Sequence, residues 1–554
     1  QAANFALPYV YGTGPVGYDA GTLLDTRFVI LWGANITDTR FGNESQSVMR
    51  HIRSQGGEII VIDPRRTDTS RQLGTEWIPI RPGGDVPMML AIAHVLWTEG
   101  LTDTRFITTY VHGADEFFAY VSGDVEGIPK TPEWASNLSG VPAGTIRDLA
   151  RRYAAAKPAA IVPGFSLQRA LAGEETFRMT AALQAVTGNA GIHGGTPGTN
   201  MWFGLPGPKI RVFPGRDGDG RTVPKAIWPQ VILGGKAQGY SVDFKAAYMV
   251  GTNYLNQGSD ILSGIAALES LNFIVSHELF LTPSARYADV VFPASHYLER
   301  EDVIVAEDNY LYYSGKVFEP IGEARDDFDI FAELSSHWGG EEEFNRGRNS
   351  EEWVDWIIDN SAVGRDGREE FKRTGIYDGG NHDRNGLAPF ISDPEVNPLN
   401  TPSGKIEISS ERYAETGYPA WPHHRTMNRS PDYPLQLITP HSRFRINSTG
   451  SNIAWVEEND PILLWMNPSD ARKRGITDGS TVLVRSSTGE MAVKVYETPD
   501  IVTGVVSCAQ GGWHGREGSP SANLLTPLEP TLPSIGTRTH TVFVEVEAGV
   551  TAGE

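Results

Sequence analysis

The chain has a single cysteine, Cys508, in 554 residues. One thiol excludes disulfides within the chain, a cysteine-held iron–sulfur cluster and a cysteine-based zinc site. It lies in the strand-like run Val505-Val506-Ser507-Cys508 and reads as a small core residue. Long apolar runs are missing too: nothing approaches the roughly 18 uninterrupted apolar residues of a membrane span, so no direct span is expected. Positive charge is scarce. The formal net charge is −21, which argues against a nucleic-acid partner, because phosphate neutralisation needs patches of Lys and Arg. The acidic run Glu341-Glu342-Glu343 reads as solvated loop. The opening Gln1-Ala2-Ala3-Asn4-Phe5-Ala6 does not read as a signal peptide, and further chain upstream is expected.

Glycine and proline are plentiful, at 60 and 36 residues, which implies many tight loops. The length exceeds one core, so about three domains are expected. One pattern occurs twice. The apolar run Phe28-Val29-Ile30-Leu31-Trp32 opens onto Gly33-Ala34-Asn35, and Glu58 to Ile62 then delivers Asp63-Pro64-Arg65-Arg66-Thr67-Asp68-Thr69. Later, Ala247-Tyr248-Met249-Val250 opens onto Gly251-Thr252-Asn253, and Phe273-Ile274-Val275 delivers Ser276-His277-Glu278, followed by Thr282-Pro283-Ser284. Both copies read buried strand, Gly-x-Asn, helix, buried strand, acidic group, Thr-containing loop, short strand, Pro. Short apolar runs alternating with helices imply a parallel sheet with ligands beyond the carboxyl ends of its strands. Gly allows close approach to a phosphate, and an acidic or amide side chain at a strand end suits ribose or base. Two nucleotide-like groups follow from this reading, with two ordinary βαβ units as the plain alternative.

Residues 1–27, Gly- and Pro-rich, read as the remnant of an upstream domain. Residues 28–205 form a first α/β nucleotide-binding domain, with helices over Val86 to Glu99 (Asp85 as N-cap), Ala143 to Ala155 and Glu174 to Val186. Residues 206–430 form a second such domain with a polar connection. From 431 to 554 the pattern turns to alternating strands, among them Pro434 to Ile438, Thr481 to Arg485, Met491 to Val495 and Thr541 to Val546, a small β-barrel.

Further segments extend the pattern: Ile80-Arg81-Pro82-Gly83-Gly84-Asp85, Gly164-Phe165-Ser166-Leu167-Gln168-Arg169, Thr187-Gly188-Asn189-Ala190-Gly191-Ile192-His193-Gly194-Gly195, Tyr287-Ala288-Asp289-Val290-Val291-Phe292-Pro293, Thr401-Pro402-Ser403-Gly404-Lys405-Ile406-Glu407-Ile408 and Met466-Asn467-Pro468-Ser469-Asp470-Ala471. With the two Gly-x-Asn units they resemble, in order and across nearly the whole chain, catalytic subunits of the dimethyl sulfoxide reductase family of molybdopterin oxidoreductases. Lys130-Thr131-Pro132-Glu133-Trp134-Ala135 and Gly140-Val141-Pro142-Ala143 are similar to its respiratory sulfoxide reductase branch.

The resemblance implies two parallel-sheet dinucleotide-binding domains plus a C-terminal, double-psi-like β-barrel. It implies molybdenum (or tungsten) held by two molybdopterin guanine dinucleotides. Gly33 and Asn35 would meet a diphosphate, Asp63, Arg65 and Thr67 ribose or guanine, and Asp85, with Pro82 and Gly83, the N1–H and amine of a guanine. Asn253, Asn256 and Gln257 would serve the second dinucleotide, with Glu278 placed as Asp63 is and Thr282 beside it. Gly164, Gln168 and Arg169 would reach the pterin side, with Phe165, Gln168 and Arg169 as funnel candidates. His441, Arg445, Ser448, Thr449 and Asn523 would cover the pterins. The bland readings stay open: Asn35 and Asn253 as turn caps, Asp85 as only an N-cap, Arg445 and His441 as surface loop residues, His112, His296 and His423 as structural or exposed.

The implied chemistry is oxygen-atom transfer, the reduction of a small oxidised substrate such as a sulfoxide or N-oxide in anaerobic respiration. An iron–sulfur electron-transfer subunit and a membrane-anchor subunit are the implied partners, and a peripheral, periplasmic or outer-face location goes with them. A same-family reductase of selenate, tetrathionate or polysulfide, a hydratase, and a non-catalytic scaffold or fragment are the alternatives. The family's metal ligand and four-iron cluster precede the first Gly-x-Asn strand. Here the 27 residues before Phe28 hold no Cys and no Ser, only Asp19 and Asp25. No metal ligand or catalytic residue is therefore assigned, a 4Fe–4S cluster is expected only with an upstream region, and a fragment, a processed chain or a split subunit would each account for the start.

Overall fold

Strands of Val, Ile and Leu that are apolar on both faces need cover on both sides, and the first Gly-x-Asn unit has it. In the computed structural model, which describes residues 1–14, 16–39, 44–201, 204–212, 222–305 and 309–549, the strands Glu76–Ile78, Glu58–Ile62, Phe28–Trp32 and Ala159–Pro163 lie side by side in that order, all parallel. Phe28, Ile30 and Trp32 enter one core with the buried helices Asp85–Thr98 and Gly173–Val186. Val29 and Leu31 enter another, on the opposite face, with Met49 and Ile52 of the helix Glu44–Ser54. The chain runs from Phe28–Trp32 outward to Glu76–Ile78 and returns to add Ala159–Pro163 on the other side. That reversal leaves a crevice between the ends of Phe28–Trp32 and Ala159–Pro163, where ligands bind in such sheets.

The chain forms two compact units, Gln1–Leu205 with His382–Glu554, and Pro206–Asn381. Residues 382–430, expected with the second domain, thus belong to the unit that holds the first sheet and the barrel. Buried anchors explain this: Ile406 pairs with Val111 in a short parallel ladder, and Tyr413 is fully buried and donates to Glu175. Residues 1–27, expected as the remnant of an upstream domain, pack within this unit. Ala2–Ala6 and Pro8–Tyr11 are helices, and Ala3, Val10 and Tyr11, with Leu7 between the two, enter the main core, an apolar face too short to stand out as a period.

In the same unit the strands Leu435–Ile438, Val505–Cys508, Leu464–Met466, Glu490–Glu497, Thr481–Arg485 and Val542–Ala548 close, in that order, into a barrel. Two neighbour pairs are parallel and the rest antiparallel. Buried Leu437, Val482, Val484, Val506, Cys508 and Val544 fill its interior.

The second unit carries the second Gly-x-Asn sheet, Ala246–Val250, Phe273–Glu278 and Val290–Pro293, again parallel. The helix Ile261–Glu269 and Trp228 cover Met249 and Ile274 on one face. Tyr248, Val250 and Phe273 are exposed, so the strands expected to be buried are only half so. An antiparallel sheet of Asp302–Val305, Tyr310–Ser314 and Ile376–Asp378 accompanies it.

The two copies agree at the level of single hydrogen bonds. Trp32 pairs with Ile62 before Asp63, and Val250 pairs with His277 before Glu278, so the two acids hold equivalent places. Gly33 and Gly251 share a left-handed conformation, φ 57° and 56°, which favours glycine. Thr69 Oγ1 donates to Asn35 Oδ1 at 2.7 Å and accepts from the Thr37 N–H at 3.1 Å. Ser284 Oγ donates to Asn253 Oδ1 at 2.8 Å and accepts from the Leu255 N–H at 2.9 Å. Thr67 and Thr282 accept the N–H three residues on, from Ser70 and Ala285. Deleting the hydroxyl in Thr69→Val or Ser284→Ala leaves a buried amide N–H unpaired, so each should lower unfolding stability by about 1–3 kcal/mol. Urea titration of each variant checks this; melting curves unchanged from the parent would contradict the assignment.

Candidate functional site

At the crevice of the first sheet lies a cavity of about 390 Å³. Its floor is made by the strand ends, Gly33 to Ile36 and Pro163 to Leu167, with Arg169 and Ala170. Gly164 is held against the first strand by its N–H to the Trp32 carbonyl at 2.8 Å. A Cβ on Gly164 would lie 1.9 Å from the Gly33 carbonyl oxygen, so only glycine allows this approach. Asp63 and Arg65 line one wall, Pro82, Gly83 and Asp85 another, and Thr439, Pro440, His441, Asn447 and His540 of the barrel unit close it. Backbone bonds fasten the loops together. Arg66 N–H reaches the Asp500 carbonyl, Val502 N–H the Pro64 carbonyl, and His540 N–H the Arg169 carbonyl.

Arg65 is buried, with its guanidinium over the Trp465 ring and its Nε without a partner among the described residues. Arg169 gives one N–H to Gln510 Oε1 at 3.0 Å, and burial pulls its pKa below the usual guanidinium value. Burial, with the Arg169 charge second, brings His441 down to about 4. Burial and the charges of Arg169 and Arg65 bring His540 to about 3. Both imidazoles are therefore neutral at pH 7. His540 Nδ1 accepts the Thr439 N–H at 3.1 Å, so its Nε2 carries the proton. Burial pushes Asp63 up to about 6, although Arg65 opposes it, and raises Asp85 as well.

Asp85 is not the N-cap that its sequence position suggests. The cap residue of Asp85–Thr98 is Gly84, and the carboxylate turns back to accept Trp32 Nε1–H at 2.9 Å and the Gly83 N–H at 3.2 Å. Its place on the wall leaves it facing the cavity.

Of the expected residues in this unit, Gly33, Asn35, Asp63, Arg65, Pro82, Gly83, Asp85, Gly164, Phe165, Arg169 and His441 line the cavity. Thr67, Gln168, Arg445, Ser448, Thr449 and Asn523 are not on its wall. Thr67 caps the helix Asp68–Gln72. Gln168 Oε1 accepts the Ala3 N–H at 3.5 Å. Arg445 is buried against Ser442, Ser451 and Asp460. The Ser448 carbonyl holds Trp513 Nε1–H at 2.8 Å, Thr449 bridges to Ile446, and the Asn523 carbonyl accepts from Thr526. Asp19 and Asp25 are also elsewhere: Asp19 is buried with Arg384, and Asp25 sits at the surface with His193.

In the second unit, Asn253 Nδ2 donates to Asn256 Oδ1 at 3.1 Å, and Gln257 accepts from Lys225. Burial pushes half-buried Glu278 up to about 7. Sequence reasoning missed Asn200, Asn447 and His540. A signal for Asn200 was present, since Gly198-Thr199-Asn200 repeats the Gly-x-Asn triplet. Its Oδ1 is buried without a partner among the described residues, while its Nδ2 holds the Pro163 carbonyl. His540 and Asn447 carry no local motif.

Buried cations, neutral imidazoles, and unpaired Arg65 Nε and Asn200 Oδ1 fit an anionic ligand rich in hydrogen-bonding groups, as a pterin dinucleotide is. The raised Asp63 carboxyl has a stability consequence. Its folded pKa, about 6, exceeds the unfolded value, so the fold holds a proton that the unfolded chain loses. Asp63 thus contributes most below the ordinary carboxylate range, and its contribution falls as pH rises to about 6. Asp63→Asn in ligand-free protein should raise stability at pH 7, by up to about 3 kcal/mol, and leave the parent and variant close together at pH 4. Chemical denaturation across that range checks it; a variant less stable at pH 7 would contradict the assignment.

Comparison with known proteins agrees with this geometry. The family model described as Molybdopterin oxidoreductase matches residues 9–337, and the one described as Molydopterin dinucleotide binding domain matches residues 435–543. The dimethyl sulfoxide reductase DmsA of Haemophilus influenzae is 31% identical, over 98% of this chain and 75% of its own length. The trimethylamine-N-oxide reductase of the same organism is 31% identical, over 99% and 75%. The dimethyl sulfoxide/trimethylamine N-oxide reductase of Rhodobacter capsulatus is 32% identical, over 93% and 69%. Among solved structures, acetylene hydratase from Pelobacter acetylenicus shares the fold with a TM-score of 0.78 over 99% of this chain and 81% of its own, at 19% identity. With one family model spanning more than half its length and reductases aligned along nearly all of it, the chain belongs to the molybdopterin oxidoreductases, within the dimethyl sulfoxide reductase family.

Proposed function

We propose that this oxidoreductase reduces a small sulfoxide or N-oxide, taking two electrons per turnover from a partner. The substrate class rests on one observation: relatives named for those substrates align with nearly the whole chain. The cofactor is molybdenum held by two molybdopterin guanine dinucleotides, and when bound it supplies two-electron oxygen-atom-transfer chemistry.

The residues of the cavity supply the rest. Arg65 would bond ribose or guanine and Arg169 would reach the pterin side, in a partly enclosed place where each charged hydrogen bond is worth more than in open water. Asp63 and Asp85 would accept ribose hydroxyl or guanine N–H donors, which favours their ionised forms and offsets the rise that burial causes. His540 would donate from Nε2 without adding charge, and Asn200 Oδ1 would accept an N–H. Glu278, with the Asn253 turn behind it, would do for the second dinucleotide what Asp63 does for the first.

The reading includes an iron–sulfur subunit as electron donor; within these 554 residues Cys508 is alone and buried in the barrel. It includes a separate membrane-anchor subunit and a periplasmic, peripheral placement. No helix among the described residues is long and apolar enough to cross a membrane.

The full gene product, made anaerobically with molybdate, should oxidise reduced viologen with dimethyl sulfoxide or trimethylamine N-oxide. Selenate, tetrathionate and polysulfide should be poor substrates, and acetylene should not be hydrated. A clear preference for one of the latter four would replace this reading with a same-family alternative.

A further inference from the structure

A second hollow, of about 500 Å³, lies in the same unit as the first and shares no wall residue with it. Arg81, Arg429, Lys473 and Arg474 line it, with Asp470 and Gly504 among their neighbours. Such a gathering of cations is out of keeping with a chain of net charge −21. Some of it is neutralised within the fold. Arg474 is paired with Glu545, and Lys473 lies 3.8 Å from Asp470. Asp470 itself accepts the Gly504 N–H at 2.6 Å. The other two cations, both exposed, have no acidic partner among the described residues. The Arg81 side chain makes no hydrogen bond or ion pair among the described residues, and Arg429 reaches only Gln436 Oε1, at 3.4 Å, with the Phe543 ring 5.7 Å away. Burial and the like charge of Arg81 pull the Arg429 pKa below its usual value.

Both guanidiniums are exposed at the rim of the hollow, where their like charges reinforce each other and an anion held between them would be attracted by both. Their planar forks match tetrahedral oxyanions, which accept paired N–H bonds. The hollow is concave and within the size range of small-ligand sites, which favours a small anion over an acidic polypeptide. Its position links it to the first cavity. Arg81 directly precedes Pro82, Gly83 and Asp85 on that cavity's wall, and its carbonyl accepts the Gly84 N–H at 2.9 Å. Arg429 leads into the strand Leu435–Ile438, whose last residue lines the same cavity.

We propose that this hollow binds a phosphate- or sulfate-class oxyanion that clamps Arg81 to Arg429 and so holds together two walls of the cofactor cavity. The site is a regulatory or stabilising one, and the anion is not consumed.

The test uses cofactor-loaded enzyme and inorganic phosphate or sulfate, titrated at constant ionic strength against chloride. Phosphate and sulfate should each give a saturable rise in melting temperature and a saturable heat of binding, whereas chloride and acetate should not. Arg81→Gln and Arg429→Gln should each weaken binding by roughly tenfold or more, and Arg429→Lys should fall between. If one variant does not fold, the other and Arg429→Lys decide the matter. No saturable response in the parent, an unchanged affinity in the folded variants, or binding of an acidic peptide but not phosphate would each overturn the proposal. None of these readouts depends on turnover, so the proposal can fail while the substrate assignment stands.

Discussion

Burying charge around a cavity is the constraint on which the rest of this structure depends. Removing an ion from water costs several kcal/mol even after relaxation, unless a partner repays it. The wall of the first cavity shows the response: Arg169, His441, His540, Asp63 and Asp85 all shift toward their neutral forms, with burial the largest cause in each. Such a wall needs a rigid frame, because a loop free to swing into water would do so. The frame is the set of backbone bonds that tie the loop after Ile62 to the loop near Asp500, and His540 to Arg169. The barrel has a direct part in this. It carries both histidines to the wall and buries His540.

The repeated turn shows how the frame is built from sequence. Asn35 and Asn253 lie where a ligand contact is expected, yet their amides are occupied inside their own turns. Asn35 Oδ1 accepts from Thr37 and Thr69 and its Nδ2 gives to Asp38, while Asn253 holds Ser284 and Asn256. The motif therefore fixes the shape of the strand end. It is the acid at the end of the next strand, Asp63 or Glu278, whose pKa burial raises to about 6 or about 7. Those carboxyls respond most to a donor, which makes them the chemically informative positions of the repeat.

Much of this was legible in the residues. Buried parallel strands such as Phe28–Trp32 and Ala159–Pro163 are continuous apolar runs bounded by Gly and Pro, and the alternation in Thr481–Arg485 marks a half-exposed barrel strand. The cavity floor was legible because glycine is required where two strand ends touch. What stayed hidden depends on contacts far apart in sequence. Asp85 reads as an N-cap by its neighbours, and only packing against Trp32 turns its carboxylate elsewhere. Arg445 reads as a loop cation covering a ligand, but Asp460 draws it into the barrel's own loops. His540 shows no local pattern, since its role comes from Thr439 and Arg169. The helices of residues 1–11 escaped because each has only one or two turns.

The central claim is that the two equivalent strand-end units each hold a guanine dinucleotide. Acid release of nucleotide from the cofactor-loaded full gene product, quantified by mass spectrometry beside molybdenum, tests it most directly. The account predicts guanine nucleotide only, at about two per metal, one for each Gly-x-Asn unit. A ratio near one, or adenine nucleotide in its place, would contradict it.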